Sequence, residues 1–237
     1  MRTEFFQNGI TFAQLQSGFS LGTDAVLLAD FAGAERGRVC DLCAGCGQIG
    51  LLLAAQGCRD ITCVELQEDA CTQAQRNIER NGLADAMRAV CGDVRQIRTL
   101  LPHGSFDTVV CNPPYYPVGS GFTAKDTAAA IARTELSCTL ADVCDAAAWL
   151  LRTGGSFCLI HKPERLTDVL TSLRERRLEP KQLRFVQHRQ DAAVSLVLVR
   201  AVAGGKPGLT CLPTLLLQNT DGTSTAEYRR IYHMEDT

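Results

Sequence analysis

Four consecutive residues, Asn112-Pro113-Pro114-Tyr115, follow the apolar run Phe106-Asp-Thr-Val-Val-Cys111. Such a run reads as a buried strand, and in open α/β sheets ligands collect outside the carboxyl ends of the strands. Two prolines in succession fix the backbone, remove two N–H donors and bias Asn112 towards an extended conformation. The corner is left mainly with acceptors, the Asn112 side-chain oxygen and the Pro113 carbonyl, and an aromatic ring follows. That set suits methylation of an amino nitrogen conjugated to a ring or a carbonyl. The lone pair of such a nitrogen is delocalised. Two acceptors that each take one N–H favour a pyramidal nitrogen whose lone pair points at a methyl donor. Positioning and preorganised dipoles would supply the rate, with no strong base needed. Tyr115 would stack on the planar group, and a nucleobase would have to leave its stack to reach it.

A second constellation lies upstream. Asp41-Leu-Cys-Ala-Gly45-Cys-Gly47-Gln-Ile-Gly50 sits where a strand gives way to a helix. Glycines at 45 and 47 permit a sharp turn and a close backbone approach to a ligand, beside the free N–H groups of a helix start. Glu65 comes 18 residues after Gly47, at the end of the next apolar run, where an acid would accept bonds from ribose hydroxyls. This much fits NAD as well as S-adenosylmethionine. Three features favour the second. Asp41 stands before the turn, where a carboxylate can meet a positively charged amino acid moiety, whereas a hydride-transfer cofactor would place a pyrophosphate near there. Cys91-Gly-Asp93-Val94 supplies an acid placed to hydrogen-bond an adenine amino group. The Asn-Pro-Pro-Tyr corner is the third.

Short β-like runs alternate with helical patterns, which predicts crossover units and a mainly parallel sheet with helices on both faces. The expected strands are Arg38–Cys43, Ile61–Glu65, Met87–Cys91, Phe106–Cys111 and Ser156–His161, then Leu183–His188 and Ser195–Val202 as paired edge strands completing seven. Helices are expected over 48–56, 68–81 and 139–152, the last capped by Thr139 and ended by Gly154-Gly155, and a basic helix near 165–177. Residues 1–237 read as one domain: a covering segment 1–37, a core 38–202 and an extension 203–237.

With 46% hydrophobic and 21% charged residues, composition excludes disordered and fibrous classes. No segment approaches the roughly 18 uninterrupted apolar residues of a membrane span. The first residues lack the apolar core of a secretory signal, so a soluble cytoplasmic protein is expected. Net charge is −2, unevenly spread: residues 1–151 hold 11 Lys/Arg against 17 Asp/Glu, residues 152–237 hold 13 against 9. The densest basic stretch includes Arg174, Arg176, Arg177, Lys181 and Arg184. It suits a polyanion such as RNA and equally a solvated helix face. The run Cys40-x2-Cys43-x2-Cys46 has iron–sulfur spacing but no completing Cys-Pro, and no metal is expected. Cys40, Cys63, Cys111 and Cys158 fall in strands, as small hydrophobes.

With these residues assembled, the chain resembles the Asn-Pro-Pro-Tyr class of Rossmann-like class I methyltransferases, and within it the bacterial tRNA1(Val) adenine-37 N6-methyltransferases. The likeness extends over Gly18-Phe-Ser-Leu-Gly-Thr-Asp24-Ala-Val-Leu-Leu-Ala29, the Gly turn, Val64-Glu65-Leu-Gln67, Cys111–Tyr115, Ala132-Arg-Thr-Glu135, His161-Lys-Pro-Glu-Arg-Leu166 and Leu178–Phe185. The resemblance implies that Thr23, Asp24 and their neighbours cover S-adenosylmethionine. It also implies that Glu65 and Leu66 hold its ribose side, that Asp93 and Val94 frame its adenine, and that Asn112 to Tyr115 receive the target adenine. A tRNA partner follows from the same likeness; the sequence does not disclose the oligomeric state, for which a monomer is favoured. The turn departs from the family in carrying Cys43 and Cys46 beside its glycines, and the stretch after His188, Arg-Gln-Asp-Ala-Ala-Val, is less basic than the family pattern.

Three other functions fit parts of the pattern. A glutamine side-chain amide in a protein would suit the same acceptors, although enzymes of that kind carry a helical domain where this chain has about 37 residues. A noncatalytic RNA-binding protein could retain the fold, and a nicotinamide oxidoreductase would use the Gly turn alone.

Overall fold

The computed structural model describes residues 2–5, 9–14, 22–33, 37–113 and 138–234. The chain starts with a hairpin, β1 (Arg2–Phe5) antiparallel to β2 (Thr11–Gln14), and continues into α1 (Thr23–Ala32). Next come β3 (Val39–Leu42), α2 (Gln48–Ala55), β4 (Ile61–Glu65), α3 (Glu68–Arg80), β5 (Met87–Cys91), the short α4 (Ile97–Leu100) and β6 (Phe106–Cys111). After Cys138 follow α5 (Leu140–Leu150), β7 (Leu151–His161), α6 (Leu166–Glu175), β8 (Leu178–Gln187) and β9 (Val194–Ala203). Two-residue strands β10 (Thr210–Cys211) and β11 (Leu215–Leu216) and the helix α7 (Ala226–Tyr232) close the chain.

The main sheet has the order β10-β8-β9-β7-β6-β3-β4-β5, with β11 also on β8. Neighbours are parallel except β9, which runs antiparallel to both β7 and β8. The seven expected strands are present, and β10 and β11 extend the sheet to nine by pairing in parallel along the outer edge of β8. Pairing there covers backbone groups that an open edge would present to other chains.

Period-two alternation sorts the strand side chains between two cores. Along β6, Val110 joins the cluster containing Leu28, Leu51 and Ile78, whereas Val109 and Cys111 join the one containing Val143, Leu150 and Leu173. Helices α1, α2, α3 and α7 therefore cover one face, and α4, α5 and α6 the other. Cys40, Cys63, Cys111 and Cys158 are all buried within these strands.

The largest departures from the expected boundaries, beyond shifts of one or two residues, lie at the α5–β7 junction and at the start of β8. Helix α5 is opened by the Thr139–Asp142 capping box, but it ends at Leu150, because Leu151 turns extended (φ −74°, ψ 135°) and pairs with Phe106. Gly154-Gly155 therefore lies inside β7, in a register shift opposite Asp107, where a Cβ on Gly155 would stand 3.0 Å from the Asp107 carbonyl. Strand β8 begins five residues early, at Leu178, and accommodates Pro180 at another register shift. No helix among the described residues is long and apolar enough to cross a membrane.

Candidate active site

The register places the chemistry at one edge. Leu42 pairs with Cys111 and with Val64, and Glu65 pairs with Cys91. The turn after β3, the acid ending β4, the Cys91-Gly-Asp93 loop and Asn112 consequently leave the sheet side by side. Asn112 is half-buried and Pro113 buried; Pro114 and Tyr115 lie outside the described residues.

Three left-handed residues build the turn: Cys43 (φ 57°), Gly45 (φ 55°) and Gly47 (φ 84°). A Cβ added to Gly45 would meet nothing within 4 Å, so that position faces open space, where a ligand can approach the backbone. Gly50 serves packing instead. Its Cβ would stand 2.5 Å from the Met87 Cε and 2.7 Å from the Cys63 Sγ, so only a glycine lets α2 lie this close to β4 and β5. Glu65, 7% exposed, ties the turn down: its Oε2 accepts the Gly45 N–H at 2.7 Å and its Oε1 accepts the Gln67 N–H at 2.9 Å. Each carboxylate oxygen keeps a second lone-pair direction for a hydroxyl. Leu66, next in sequence, is one of only three large hydrophobics exposed among the described residues, and offers an apolar surface at this edge.

Asp41 and Asp93 are occupied by the protein itself. Asp41 is fully buried; its Oδ2 accepts the Gly50 N–H at 3.1 Å, while Oδ1 has no partner among the described residues. Burial pushes its carboxyl up to about 8, against the Gly50 hydrogen bond, and the neighbouring charge of Glu65 adds to the rise. Asp41 thus braces the start of α2 rather than presenting a charge at the surface of the crevice. Asp93 caps the short turn Val94–Gln96 through the Arg95 N–H, and both its oxygens receive the Arg95 guanidinium, which holds its carboxyl below the usual range. Val94 packs into the core with Ile97 and Leu101.

Three thiols lie beneath the corner. Cys43 hydrogen-bonds Cys111 and Cys138; the bond with Cys111 raises the Cys43 thiol, the bond with Cys43 raises that of Cys138, and burial raises that of Cys111 against its bond with Cys43, so the protonated thiols persist. His161, at the end of β7, is 1% exposed, and its Nδ1 accepts the Lys162 N–H at 2.8 Å. Burial lowers its pKa to about 4, so the ring stays neutral with the proton on Nε2.

Thr23 and Asp24 form the first turn of α1, whose N-cap is Gly22. The far end of α1 is held by Arg200, which donates to the Phe31 and Ala32 carbonyls at 2.7 and 3.0 Å from the level of Cys158 in the sheet. At the first turn of α1 Thr23 hydrogen-bonds Tyr232 of α7, and nearer the end of α1 Asp30 pairs with Arg230 of the same helix α7 at 2.9 Å.

The five basic residues expected to form an RNA surface are not brought together. Arg174, Arg176 and Arg177 sit at the opposite edge of the sheet, where Leu178 pairs with Ala203. Arg174 faces Glu179, and Arg176 is bonded to Asp145 at 2.8 Å. Lys181 donates to the Lys206 carbonyl, and Arg184, 14% exposed, holds Glu227 through two bonds of 2.8 and 2.7 Å. Arg174, Arg176 and Arg184 are thus engaged in ion pairs within the fold. Reading the sequence missed two asparagines, Asn77 and Asn81, whose amides dock the hairpin onto α3. Their spacing of four, in the middle and at the end of a helix that asparagine does not favour, was the available signal.

A strand order of this kind, with one antiparallel strand next to the outermost long strand, defines a Rossmann-like methyltransferase fold. Its likeness to solved structures includes one titled a predicted O-methyltransferase from Agrobacterium tumefaciens, with a TM-score of 0.71, 22% identity and coverage of 89% of this chain and 96% of that one. The family model described as the methyltransferase small domain matches residues 12–174, and the chain belongs to that family. Among curated relatives, a Shewanella protein named tRNA1(Val) (adenine(37)-N6)-methyltransferase is 36% identical over 107 residues, 44% of this chain. The chain spans 45% of that relative's length. A protein of the same name from Escherichia fergusonii is 32% identical over 175 residues, 70% of each chain.

Proposed function

We propose that this protein transfers a methyl group from S-adenosylmethionine to the N6 nitrogen of an adenosine in tRNA. The observation that carries the reading is that Asn112, just beyond β6, and the open backbone at Gly45, beyond β3, leave the sheet from two strands hydrogen-bonded as neighbours. The names of the relatives support adenine as the base and tRNA as its carrier.

The donor fits the residues present. Gly45 leaves room against the backbone, Glu65 has acceptor capacity for ribose hydroxyls, Leu66 offers an apolar surface for the adenine ring, and Gly47 ends the turn at the start of α2. Thr23 and Asp24 would close over it from the first turn of α1. Asp93, with its charge shared with Arg95, would frame the adenine beside Val94. Asp41 would act indirectly, by holding the turn. When bound, S-adenosylmethionine supplies an electrophilic methyl group on a sulfonium.

The chain's own task is to present the nucleophile. The Asn112 side-chain oxygen and the Pro113 carbonyl would each accept one amino N–H of the target, concentrating the nitrogen lone pair towards the methyl. Pro113 lacks an N–H, so no backbone donor there competes for that lone pair. Tyr115 would stack on the base. The target nucleotide must be unpaired or flipped out to reach the corner.

Purified protein incubated with methyl-labelled donor and tRNA lacking its own modifications, followed by nucleoside mass spectrometry, tests the reading. N6-methyladenosine in the tRNA is expected; label entering protein and not RNA would overturn it.

A further inference from the structure

The hairpin β1–β2 precedes the core in sequence and is attached to it through helix α3. Successive turns of a helix advance about 6 Å per four residues, and alternate residues of a strand are separated by about 6.6–6.8 Å. Asn77 and Asn81, four apart on α3, match Ala13 and Thr11, two apart on β2. Each amide exchanges a pair of bonds with one strand residue. The Asn77 Nδ2 donates to the Ala13 carbonyl at 2.8 Å, and the Ala13 N–H donates to the Asn77 Oδ1 at 3.1 Å. At Asn81 both distances to Thr11 are 2.7 Å. The helix thus replaces a missing strand along that side of β2.

The two asparagines differ in one respect. Asn77 is fully buried, and its second Nδ2 hydrogen donates to the carbonyl of Cys46 at 2.9 Å, between Gly45 and Gly47. Gln73 donates to the Asn77 Oδ1 at 3.1 Å, so all four bonding directions of the amide are used. Asn81 instead gives its second hydrogen to the Asn77 carbonyl within α3. One NH2 group therefore bonds the hairpin and the turn together. An aspartate at 77 would have no hydrogens to donate, and a glutamine would bring an extra methylene into a site with no exposure.

We propose that Asn77 is a positioning residue that couples docking of the hairpin to occupation of the Gly45–Gly47 turn. The proposal rests on the reading that this turn holds S-adenosylmethionine. Whatever fixes the Cys46 carbonyl favours the docked hairpin, and by linkage a docked hairpin favours the ligand by the same factor.

Two measurements on the full chain, with S-adenosylhomocysteine as probe, test it. In the wild type, saturating probe should slow hydrogen exchange at the Thr11 and Ala13 amides; exchange that does not change would overturn the coupling without any variant. By calorimetry, Asn77→Ala, which cuts the bond between hairpin and turn, should weaken probe binding about 10-fold or more, while Asn81→Ala, which removes one clip and leaves the Asn77 bonds to Ala13 and Cys46 in place, should cost about threefold or less. Probe affinity unchanged in Asn77→Ala would show that the amide does not link hairpin and turn and would overturn the proposal. A wild type that fails to bind the probe at all would overturn the donor reading together with it, whereas binding without coupling overturns this inference alone.

Discussion

The Glu65 carboxylate accepts the Gly45 backbone N–H at 2.7 Å, so the acid ending β4 closes the turn that ends β3. Glu65→Ala removes both this bond and the one from Gln67. A hydrogen bond to a charged group contributes about 1.5–3 kcal/mol. Donor affinity should fall by about 10- to 100-fold, read by calorimetry. Glu65→Gln keeps one acceptor for two backbone donors and should fall between. Affinity unchanged in the alanine variant would remove Glu65 from the site.

Gly50 is the contact point of α2 with β4 and β5. Gly50→Ala forces a methyl group against Met87 and Cys63, and overpacking of this kind costs about 1–3 kcal/mol. The melting temperature should drop by about 2–4 °C per kcal/mol in a chain of this size. A melt that matches the wild type would show that Met87 swings aside without cost.

The buried Asp41 carboxyl makes stability depend on pH. It holds its proton up to about 8 in the folded chain and loses it near its ordinary 3.8 when unfolded. Between those values the folded state binds the extra proton, so this group's contribution falls as pH rises through that window. Asp41→Asn keeps an acceptor for the Gly50 N–H and cannot ionise. Urea unfolding at pH 6 and pH 9 should show a smaller loss at the higher pH in the variant than in the wild type. Equal losses would place the charged form in a better-solvated setting.

Arg174 and Arg177 lie at the edge away from Asn112. Substituting both by alanine should leave tRNA methylation within about twofold. Arg184→Ala breaks the paired bonds to Glu227 and should lower stability by about 1 kcal/mol, with activity at 25 °C retained. A collapse of tRNA affinity in the double variant, measured by filter binding against salt, would return those two arginines to the RNA surface.

Most of the sheet is legible in the chain because each parallel strand is a short apolar run bounded by a turn. Ile61–Glu65, Met87–Cys91 and Phe106–Cys111 have the limits that the residues indicate. Glu179, Pro180 and Lys181 hid the start of β8, whose pairing is imposed by β9 and not by its own composition. The turn, the acids and the corner are visible as local patterns. What those acids do is not visible, since Asp41 and Asp93 carry the same charge in sequence and are distinguished only by what surrounds them. The pairing of Asn77 with Ala13 spans 64 residues, and Arg176 and Arg184 read as open surface because their acidic partners Asp145 and Glu227 lie 31 and 43 residues away in the chain.

The antiparallel strand β9 has a consequence for biosynthesis. It is the last long strand to be made, yet its place is inside the sheet, between β7 and β8. While residues 194–203 are still within the ribosome, β8 has no neighbour on the β7 side, and two rows of backbone groups stay unpaired. Strands β3 to β7 can assemble as the chain emerges, but the sheet closes only after translation has passed Ala203. Nascent chains stalled short of that point would therefore present sticky edges to chaperones.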